Sequence, residues 1–339
     1  MKKKNIYIAY TGGTIGMKKS KNGYVPISGH LQKQIAEMPE FYSSEMPIFT
    51  IKEYQPIIDS SNITPKEWKI IGNDIKKKYY KYDGFIILHG TDTMAYTASA
   101  LSFILENLQK PIIITGSQIP LSEIRSDGRQ NLINALFLVT NYPINEVTLL
   151  FNNKLYRGNR TTKKNTNGFD AFDSPNLAPL LEIGISINYS KKLLLKNKIN
   201  KNTIKINKIN SQPIGLLRIY PGISFNIIKY FLLQPVKAIV LCSYGSGNVP
   251  QKEEFFTGLK QALEKDIVVI NLTQCMHGKV NMNKYATGSY LSEIGVISGY
   301  DLTIEAALAK LYFLLSQNLS NKIIKKKMQK NLRGELTKK

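Results

Sequence analysis

Residues 84–117 of this 339-residue chain are GFIILHGTDTMAYTASALSFILENLQKPIIITGS. The continuous apolar runs within 84–90 and 110–117 are typical of strands that are buried on both faces of a parallel sheet. Between them, apolar side chains recur at steps of four and three residues from Met94 to Leu108, which predicts an amphipathic helix over 91–108. A strand, a helix and a second strand in this order predict a right-handed βαβ unit.

The same alternation continues on both sides of this stretch. In the first half, the other predicted strands are 5–10 and 147–153, and the other predicted helix is 128–141. A second α/β set follows, with predicted strands at 236–245 and 266–275 and a helix from Thr303. The fold class is therefore α/β, with two α/β domains.

The predicted domains differ in size. Residues 1–190 are expected to form the larger, N-terminal catalytic domain, with a mostly parallel, doubly wound sheet. Residues 213–339 are expected to form a smaller C-terminal α/β domain. The polar, lysine-rich residues 191–212 between them are the predicted linker.

The formal charge of +22 raises the question of a nucleic-acid partner. Only six of the 46 basic residues are arginine, on which base-reading sites usually depend. The lysines crowd into residues 191–208 and the C-terminal tail. We therefore expect them to lie on a solvated surface, without a specific nucleic-acid partner.

The two cysteines, Cys242 and Cys275, cannot form a disulfide framework, which fits a reducing compartment. The first apolar run breaks at Thr11 after about five residues, whereas a signal peptide needs ~7–15. No window approaches the ~20 apolar residues of a membrane helix. We expect a soluble cytoplasmic protein without a membrane partner. The three histidines are not at metal-ligand spacing, so no metal is expected.

Polar residues follow the predicted parallel strands at their carboxyl ends, where open α/β sheets bind ligands. These segments are TGGT at 11–14, HGTDT at 89–93, TGS at 115–117 and YRGNRTTKKN at 156–165. Since such strand ends share one edge of the sheet, hydroxyl groups, a carboxylate and a lysine are expected to gather there.

The glycines at 12–16 do not fit a nucleotide-binding loop. The dinucleotide fingerprint G-x-G-x-x-G needs a second glycine where Thr14 stands, and no phosphate-loop motif occurs in the chain. The remaining interpretation is nucleophilic catalysis by the Thr14 hydroxyl, which two glycines leave facing a cleft. Thr91, Asp92 and Lys163 are candidate partners, although Thr91 or Asp92 could simply cap the next helix.

TGGTIG (11–16) and HGTDTM (89–94), each after a predicted strand, resemble the two signature segments of the bacterial-type L-asparaginase family. The resemblance extends over nearly the whole chain through DSSN (59–62), GSQIPLSEIRSDGRQNL (116–132), YRGNRTTK (156–163), SYGSGN (243–248) and ATG (286–288). The chain is most similar to the type I, cytoplasmic branch of that family.

The resemblance implies an amidohydrolase that converts L-asparagine to L-aspartate and ammonia without a cofactor, as a homodimer or homotetramer. Thr14 would form an acyl-enzyme, and Tyr24, on a flexible lid segment, would hydrogen-bond its hydroxyl. Thr91, Asp92 and Lys163 would form the second catalytic group. To act as a base Lys163 must lose its proton, yet Asp92 beside it favours the charged form. Whether Lys163 acts as a base or electrostatically stays open.

The substrate-binding residues that the resemblance implies are Asp59, Ser60, Ser61, Thr91, Asp92 and Ser117. The segment 59–61 would hold the charged end of the amino acid, and Asp92 would pair with its ammonium group. Ser117 would offer a backbone contact near the scissile amide.

Two other functions stay open from the sequence. Subunits of tRNA-dependent amidotransferases that release ammonia share both signatures, and a scaffold protein could use the positive charge to bind nucleic acid. Some cytoplasmic asparaginases carry an arginine before SYG in an allosteric asparagine site. Here that residue is Cys242, and Cys275 matches the same site. We therefore expect a hyperbolic dependence on asparagine.

Overall fold

The computed structural model of the chain describes residues 3–21, 23–196, 203–233, 235–284 and 286–337. The chain divides into two units, Met1–Asn207 and Lys208–Lys339. Each contains a sheet with helices, which confirms the predicted fold class of two α/β domains. Of the predicted linker 191–212, residues 197–202 lie outside the described residues. The exact domain limits stay a prediction.

The first unit contains fourteen strands among its described residues. They are β1 (Asn5–Tyr10), β2 (Met17–Ser20), β3 (Gly23–Pro26), β4 (Ile48–Glu53), β5 (Gly84–Leu88), β6 (Leu105–Glu106), β7 (Ile112–Thr115), β8 (Val147–Phe151), β9 (Lys154–Arg157), β10 (Thr162–Lys163), β11 (Phe172–Asp173), β12 (Leu181–Ile183), β13 (Ile187–Tyr189) and β14 (Lys205–Ile206). The α-helices are α1 (His30–Ala36), α2 (Pro65–Lys78), α3 (Met94–Ile104) and α4 (Gly128–Asn141).

Eight strands form the main sheet, in the order β13-β12-β9-β8-β7-β5-β1-β4. The five from β4 to β8 are parallel, and β9, β12 and β13 add an antiparallel edge. The reversal follows from Asn152 and Asn153, both at positive φ, which make the two-residue turn between β8 and β9. The sheet is thus mostly parallel, as predicted, and the carboxyl ends of its parallel strands share one edge.

Helix α3 differs from its prediction in its limits and in its burial, and it begins at Met94 rather than at 91. It ends at Ile104 rather than at 108, because Leu105–Glu106 leaves the helix and pairs with Lys205–Ile206. The prediction of an amphipathic helix is wrong, since every residue of α3 except Tyr96 is buried. The buried hydroxyl groups of Thr97 and Ser102 have partners, as when Ser102 donates to the Ala98 carbonyl.

The second unit has a four-stranded parallel sheet in the order β15-β16-β17-β18. Its strands are β15 (Ile214–Arg218), β16 (Ala238–Ser243), β17 (Val268–Thr273) and β18 (Ile297–Ser298). Its α-helices are α5 (Phe225–Leu233), α6 (Glu253–Glu264), α7 (Ala286–Glu293), α8 (Ile304–Leu315) and α9 (Asn321–Met328). Among the described residues of the whole chain, no helix has the length and apolar character needed to span a bilayer.

Candidate active site

Three polar segments meet at Gly90, just beyond the carboxyl end of β5. A Cβ atom added to Gly13 would lie 2.5 Å from the Gly90 Cα, and one added to Gly90 would collide with the Ser60 hydroxyl. Gly13 also has a φ of 97°, which favours glycine. The glycines therefore allow the segments TGGT, DSS and HGTDT to approach each other closely.

Thr14 begins a short 3-10 turn, Thr14–Gly16, that follows β1 and the two glycines. Its side chain is half-buried. Thr11, which precedes the two glycines, anchors this segment. Its amide and its hydroxyl both donate to the Leu88 carbonyl, at 3.0 and 2.9 Å. The turn that carries Thr14 is therefore fixed to the end of the neighbouring strand β5.

Lys163 joins two of the predicted catalytic residues. Its Nζ atom donates to Thr91 Oγ1 at 2.9 Å and to Asp92 Oδ1 at 2.8 Å. Thr91 is buried, whereas the Asp92 side chain is 67% exposed. One carboxylate thus pairs with the lysine and remains open to a second cation.

Lys163 differs from its neighbour Lys164, although both follow the same loop. Lys164 Nζ pairs with Asp170 Oδ2 at 3.0 Å, and this contact raises the pKa of Lys164. The antiparallel pairing of β10 with β11 directs adjacent side chains to opposite faces. Only the first lysine reaches Thr91.

Gln118 is a site residue that the sequence analysis missed. Its Oε1 atom accepts a hydrogen bond from the Thr91 hydroxyl at 3.2 Å. Its Nε2 atom donates to the Thr166 and Gly168 carbonyls, at 3.1 and 3.2 Å. The Thr91 hydroxyl therefore donates its hydrogen bond to Gln118, and the Thr91 oxygen accepts one from Lys163. Gln118 lies in the motif at 116–132, but the resemblance was used to assign a role to its neighbour Ser117 alone.

The segment 59–61 lies beside the same loop. Ser60 is buried, and its carbonyl accepts from the Thr93 hydroxyl at 2.7 Å. Asp59 is exposed, and its Oδ1 atom accepts from the Ser61 amide at 3.0 Å. This segment therefore presents a carboxylate and a hydroxyl to solvent next to the HGTDT loop.

Ser117 and Tyr24 occupy different surroundings. Ser117 is buried, and its hydroxyl donates to the Ile119 carbonyl at 2.5 Å. Tyr24 lies on the β2–β3 hairpin that follows the Thr14 turn, and 46% of its surface is exposed. Among the described residues, no hydrogen bond joins Tyr24 to Thr14. Its contact with the Thr14 hydroxyl stays a prediction.

The two cysteines lie in the second unit. Cys242 is buried in β16, and burial raises the pKa of its thiol. Cys275 is exposed, and neither forms a disulfide. In the described part of the chain, no group of three or more His, Cys, Asp or Glu side chains is arranged to hold a metal ion.

Comparison with known proteins gives matches along the full chain. Residues 5–195 match the family model Asparaginase, N-terminal, and residues 213–328 match the Glutaminase/Asparaginase C-terminal domain. The chain is 61% identical over 337 residues to L-asparaginase 1 of Escherichia coli K12, with 99% of each sequence covered.

A solved structure and a more distant relative complete the comparison. The crystal structure of L-asparaginase I from Vibrio cholerae matches with a TM-score of 0.92 at 58% identity, covering 99% of both chains. A glutamyl-tRNA(Gln) amidotransferase component from Methanobrevibacter smithii is 34% identical over 352 residues, which cover 99% of this chain and 78% of that protein.

Proposed function

This chain belongs to the asparaginase family, and from that premise we propose that it hydrolyses L-asparagine to L-aspartate and ammonia through a covalent intermediate on Thr14. Its class, an L-asparaginase of type I, follows from the similarity to L-asparaginase 1 over the full length and from both family matches. The proposed reaction uses side chains of this chain and water.

In the first proposed step, the Thr14 oxygen bonds to the side-chain amide carbon of asparagine. The hydroxyl proton passes to the amide nitrogen, the carbon–nitrogen bond breaks, and ammonia leaves an ester on Thr14. In the second step, water adds to the ester carbon, its proton returns to the Thr14 oxygen, and aspartate leaves. The fixed turn after β1 supports this role because a nucleophile must be held at a defined place.

We infer that Lys163 acts as a fixed cation. Its Nζ atom donates to Thr91 and lies 2.8 Å from the Asp92 carboxylate, and a carboxylate so close favours the charged form of the lysine. A positive charge there polarises the Thr91 hydroxyl, whose oxygen orients the attacking water, and stabilises the negative charge that develops during the attack. Tyr24, on the hairpin after the Thr14 turn, is proposed to hydrogen-bond the Thr14 hydroxyl.

The proposed substrate contacts follow from the charges of asparagine. The exposed carboxylate of Asp92 has capacity for the substrate ammonium group, and such charge-assisted hydrogen bonds are strong. The segment 59–61 offers the hydroxyl groups of Ser60 and Ser61 for the substrate carboxylate, with Asp59 as a second contact for the ammonium group. Ser117 is proposed to contribute its backbone.

The single observation that best supports the function is the bridge from Lys163 to Thr91 and Asp92, at the loop where Gly90 meets the Thr14 turn. The test is ammonia release from asparagine and from glutamine, with wild type, Thr14→Ala and Thr14→Ser. Asparagine is expected to be strongly preferred, and Thr14→Ala to lose at least ~10³-fold in kcat. Thr14→Ser retains a hydroxyl and is expected to keep measurable turnover. Near-normal turnover by Thr14→Ala would refute the covalent intermediate on this residue.

We further propose a cytoplasmic enzyme that forms a homodimer or homotetramer. The two unpaired cysteines support a reducing compartment. Light scattering of the purified protein tests the assembly, and fractionation of producing cells tests the location.

A further inference from the structure

His89 is a buried histidine that the proposed reaction does not use. It follows β5 directly and is 1% exposed. Burial lowers the pKa of its imidazole to about 4, so the ring is neutral near pH 7. A neutral imidazole carries one proton on either ring nitrogen, and its hydrogen bonds decide which one.

The neighbours of His89 allow one arrangement of protons. Nδ1 lies 2.7 Å from the Gly90 carbonyl, which can only accept, so Nδ1 carries the proton. Nε2 then has to accept, and its partner at 2.9 Å, the Thr97 hydroxyl, donates. The same Thr97 oxygen accepts from the Trp68 indole Nε1 at 3.0 Å, and indole can only donate. All donors therefore point one way, from Trp68 through Thr97 and His89 to Gly90.

We call this chain of hydrogen bonds, from Trp68 through Thr97 and His89 to Gly90, the His89 relay. It ends at Gly90, where the segments of the proposed site meet. Gly90 is in close contact with Gly13 on the Thr14 turn and with Ser60 of the substrate segment. The carbonyl of Gly90 belongs to the peptide group that leads into Thr91. Fixing that carbonyl therefore fixes the orientation of the peptide from which the Thr91 side chain reaches Lys163.

We propose that His89, as the Nδ1–H tautomer held by Thr97 and Trp68, is a positioning residue that orients the Gly90–Thr91 peptide in the active site. The catalytic consequence rests on the proposed function, whereas the tautomer does not. His89 contacts no substrate, and it acts on the reaction through Thr91.

Nitrogen NMR of protein labelled with ¹⁵N-histidine tests the tautomer without any activity measurement. The chain has three histidines, and His30→Gln and His277→Gln variants identify the signals by difference. At neutral pH, His89 is expected to show a protonated Nδ1 and an unprotonated Nε2. A proton on Nε2 would overturn the proposal, whatever the enzyme does.

Two variants of the same residue separate positioning from packing. In His89→Asn the side-chain amide replaces the Nδ1 side of the ring and can still donate to Gly90. In His89→Gln the amide lies nearer the Nε2 position and can reach Thr97 instead. Both variants lose the ring. We expect kcat for ammonia release to fall about tenfold further in His89→Gln than in His89→Asn, the effect of about one hydrogen bond. Equal losses would reduce His89 to a packing role and refute the proposal.

Thr97 supplies a second pair that leaves the ring in place. Thr97→Ser keeps the hydroxyl and is expected to retain wild-type kcat within about twofold and the same His89 tautomer. Thr97→Val keeps the shape without a donor, and kcat is expected to fall several-fold with little change in KM. Equal kcat in these two variants would contradict the His89 relay. A wild-type protein with the expected tautomer but no ammonia release would instead refute the proposed function.

Discussion

The ammonium group of Lys163 lies 2.9 Å from the hydroxyl of Thr91, a residue 72 positions earlier in the chain. Two segments that are remote in sequence thus supply the lysine and the hydroxyl of one hydrogen bond. Thr91 follows the carboxyl end of the parallel strand β5, whereas β9 runs antiparallel to β8 and ends beside the amino end of β8. The chain after β9 therefore has to return through residues 158–163 before Lys163 reaches Thr91. Its role can be tested against a lysine that lies next to it in the chain.

Lys163→Met is expected to reduce kcat at least ~10²-fold, because it removes the cation that holds Thr91 and Asp92. Lys164→Met is the matched control, since it removes an equal charge from the neighbouring residue, which pairs with Asp170. This control is expected to stay within about threefold of wild type. Steady-state ammonia release measures both. Similar effects of the two substitutions would show that net charge near the site, and not the Thr91 contact, is what matters.

Gln118→Met is expected to lower kcat about tenfold, because Thr91 loses the acceptor that fixes its hydroxyl proton. Gln118→Glu is expected to be worse, since a carboxylate cannot donate to the Thr166 and Gly168 carbonyls that the amide now holds. Gln130→Met serves as a control on the exposed side of α4. The readout is kcat and KM for asparagine. Unchanged kinetics in Gln118→Met would remove Gln118 from the site.

Lys163 was predicted from the sequence as a site residue, whereas Gln118 was not. Strand periodicity places the 89–93 loop at the carboxyl ends of the parallel strands. It does not predict the tight β8–β9 hairpin, which carries residues 156–157 back to the amino end of β8, so Lys163 meets Thr91 by a different path from the one that the strand ends suggested. Ser117 and Gln118 lie in a loop without regular secondary structure. The sequence pattern therefore does not predict which of their side chains faces Thr91. The resemblance was used to assign a role to Ser117 and not to Gln118 in the same motif, and the Ser117 hydroxyl donates to the Ile119 carbonyl.

In the fold, too, some elements were predicted correctly and others were not. The strands at 5–10 and 84–90 are confirmed because continuous apolar runs have few alternatives in an α/β chain. The length and burial of α3 were missed. The spacing of its apolar residues predicted an amphipathic helix, but Thr97 between them is also buried and is hydrogen-bonded to His89 and Trp68. Tertiary partners of this kind leave no local pattern in the sequence.

Acidification is expected to destabilise the protein through His89. Its pKa is about 4 in the folded chain and 6.5 as the ordinary value, so the unfolded state binds more protons between these limits. The contribution of the neutral His89 to the free energy of unfolding is therefore fully present above pH 6.5 and is lost as the pH falls towards 4. Between pH 7.5 and 4.5 the loss amounts to about 2 kcal/mol.

Urea unfolding of wild type and His89→Asn at these two pH values measures that contribution. The carboxylates titrate in both proteins, and their effect cancels in the comparison. The wild type is expected to lose about 2 kcal/mol more than the variant on acidification. An equal loss in the two proteins would mean that His89 does not titrate differently in the folded and unfolded chains.

Lys310 and Glu335 form an ion pair in the second unit, with both side chains fully buried and Nζ 2.5 Å from Oε1. Lys310 also donates to the Met328 and Lys330 carbonyls, and Glu335 accepts from the Leu332 and Arg333 amides. The pair thus ties the segment after α9 to α8. Burial lowers the pKa of Lys310, but the four groups around the pair leave no charge without a partner.

Lys310→Met is expected to lower the free energy of unfolding by about 3–5 kcal/mol, because it leaves the Glu335 carboxylate buried without a cation. Adding Glu335→Gln to this variant removes the stranded charge and is expected to restore part of the loss, so that the double variant is more stable than Lys310→Met alone. Lys327→Met, on α9, is the control for a lysine outside the pair and is expected to change stability by less than about 0.5 kcal/mol. Urea unfolding of these four proteins and of Glu335→Gln alone gives the comparison. If the two substitutions of the pair were simply additive, the two charges would not stabilise each other, and the C-terminal segment would be held by its backbone contacts alone.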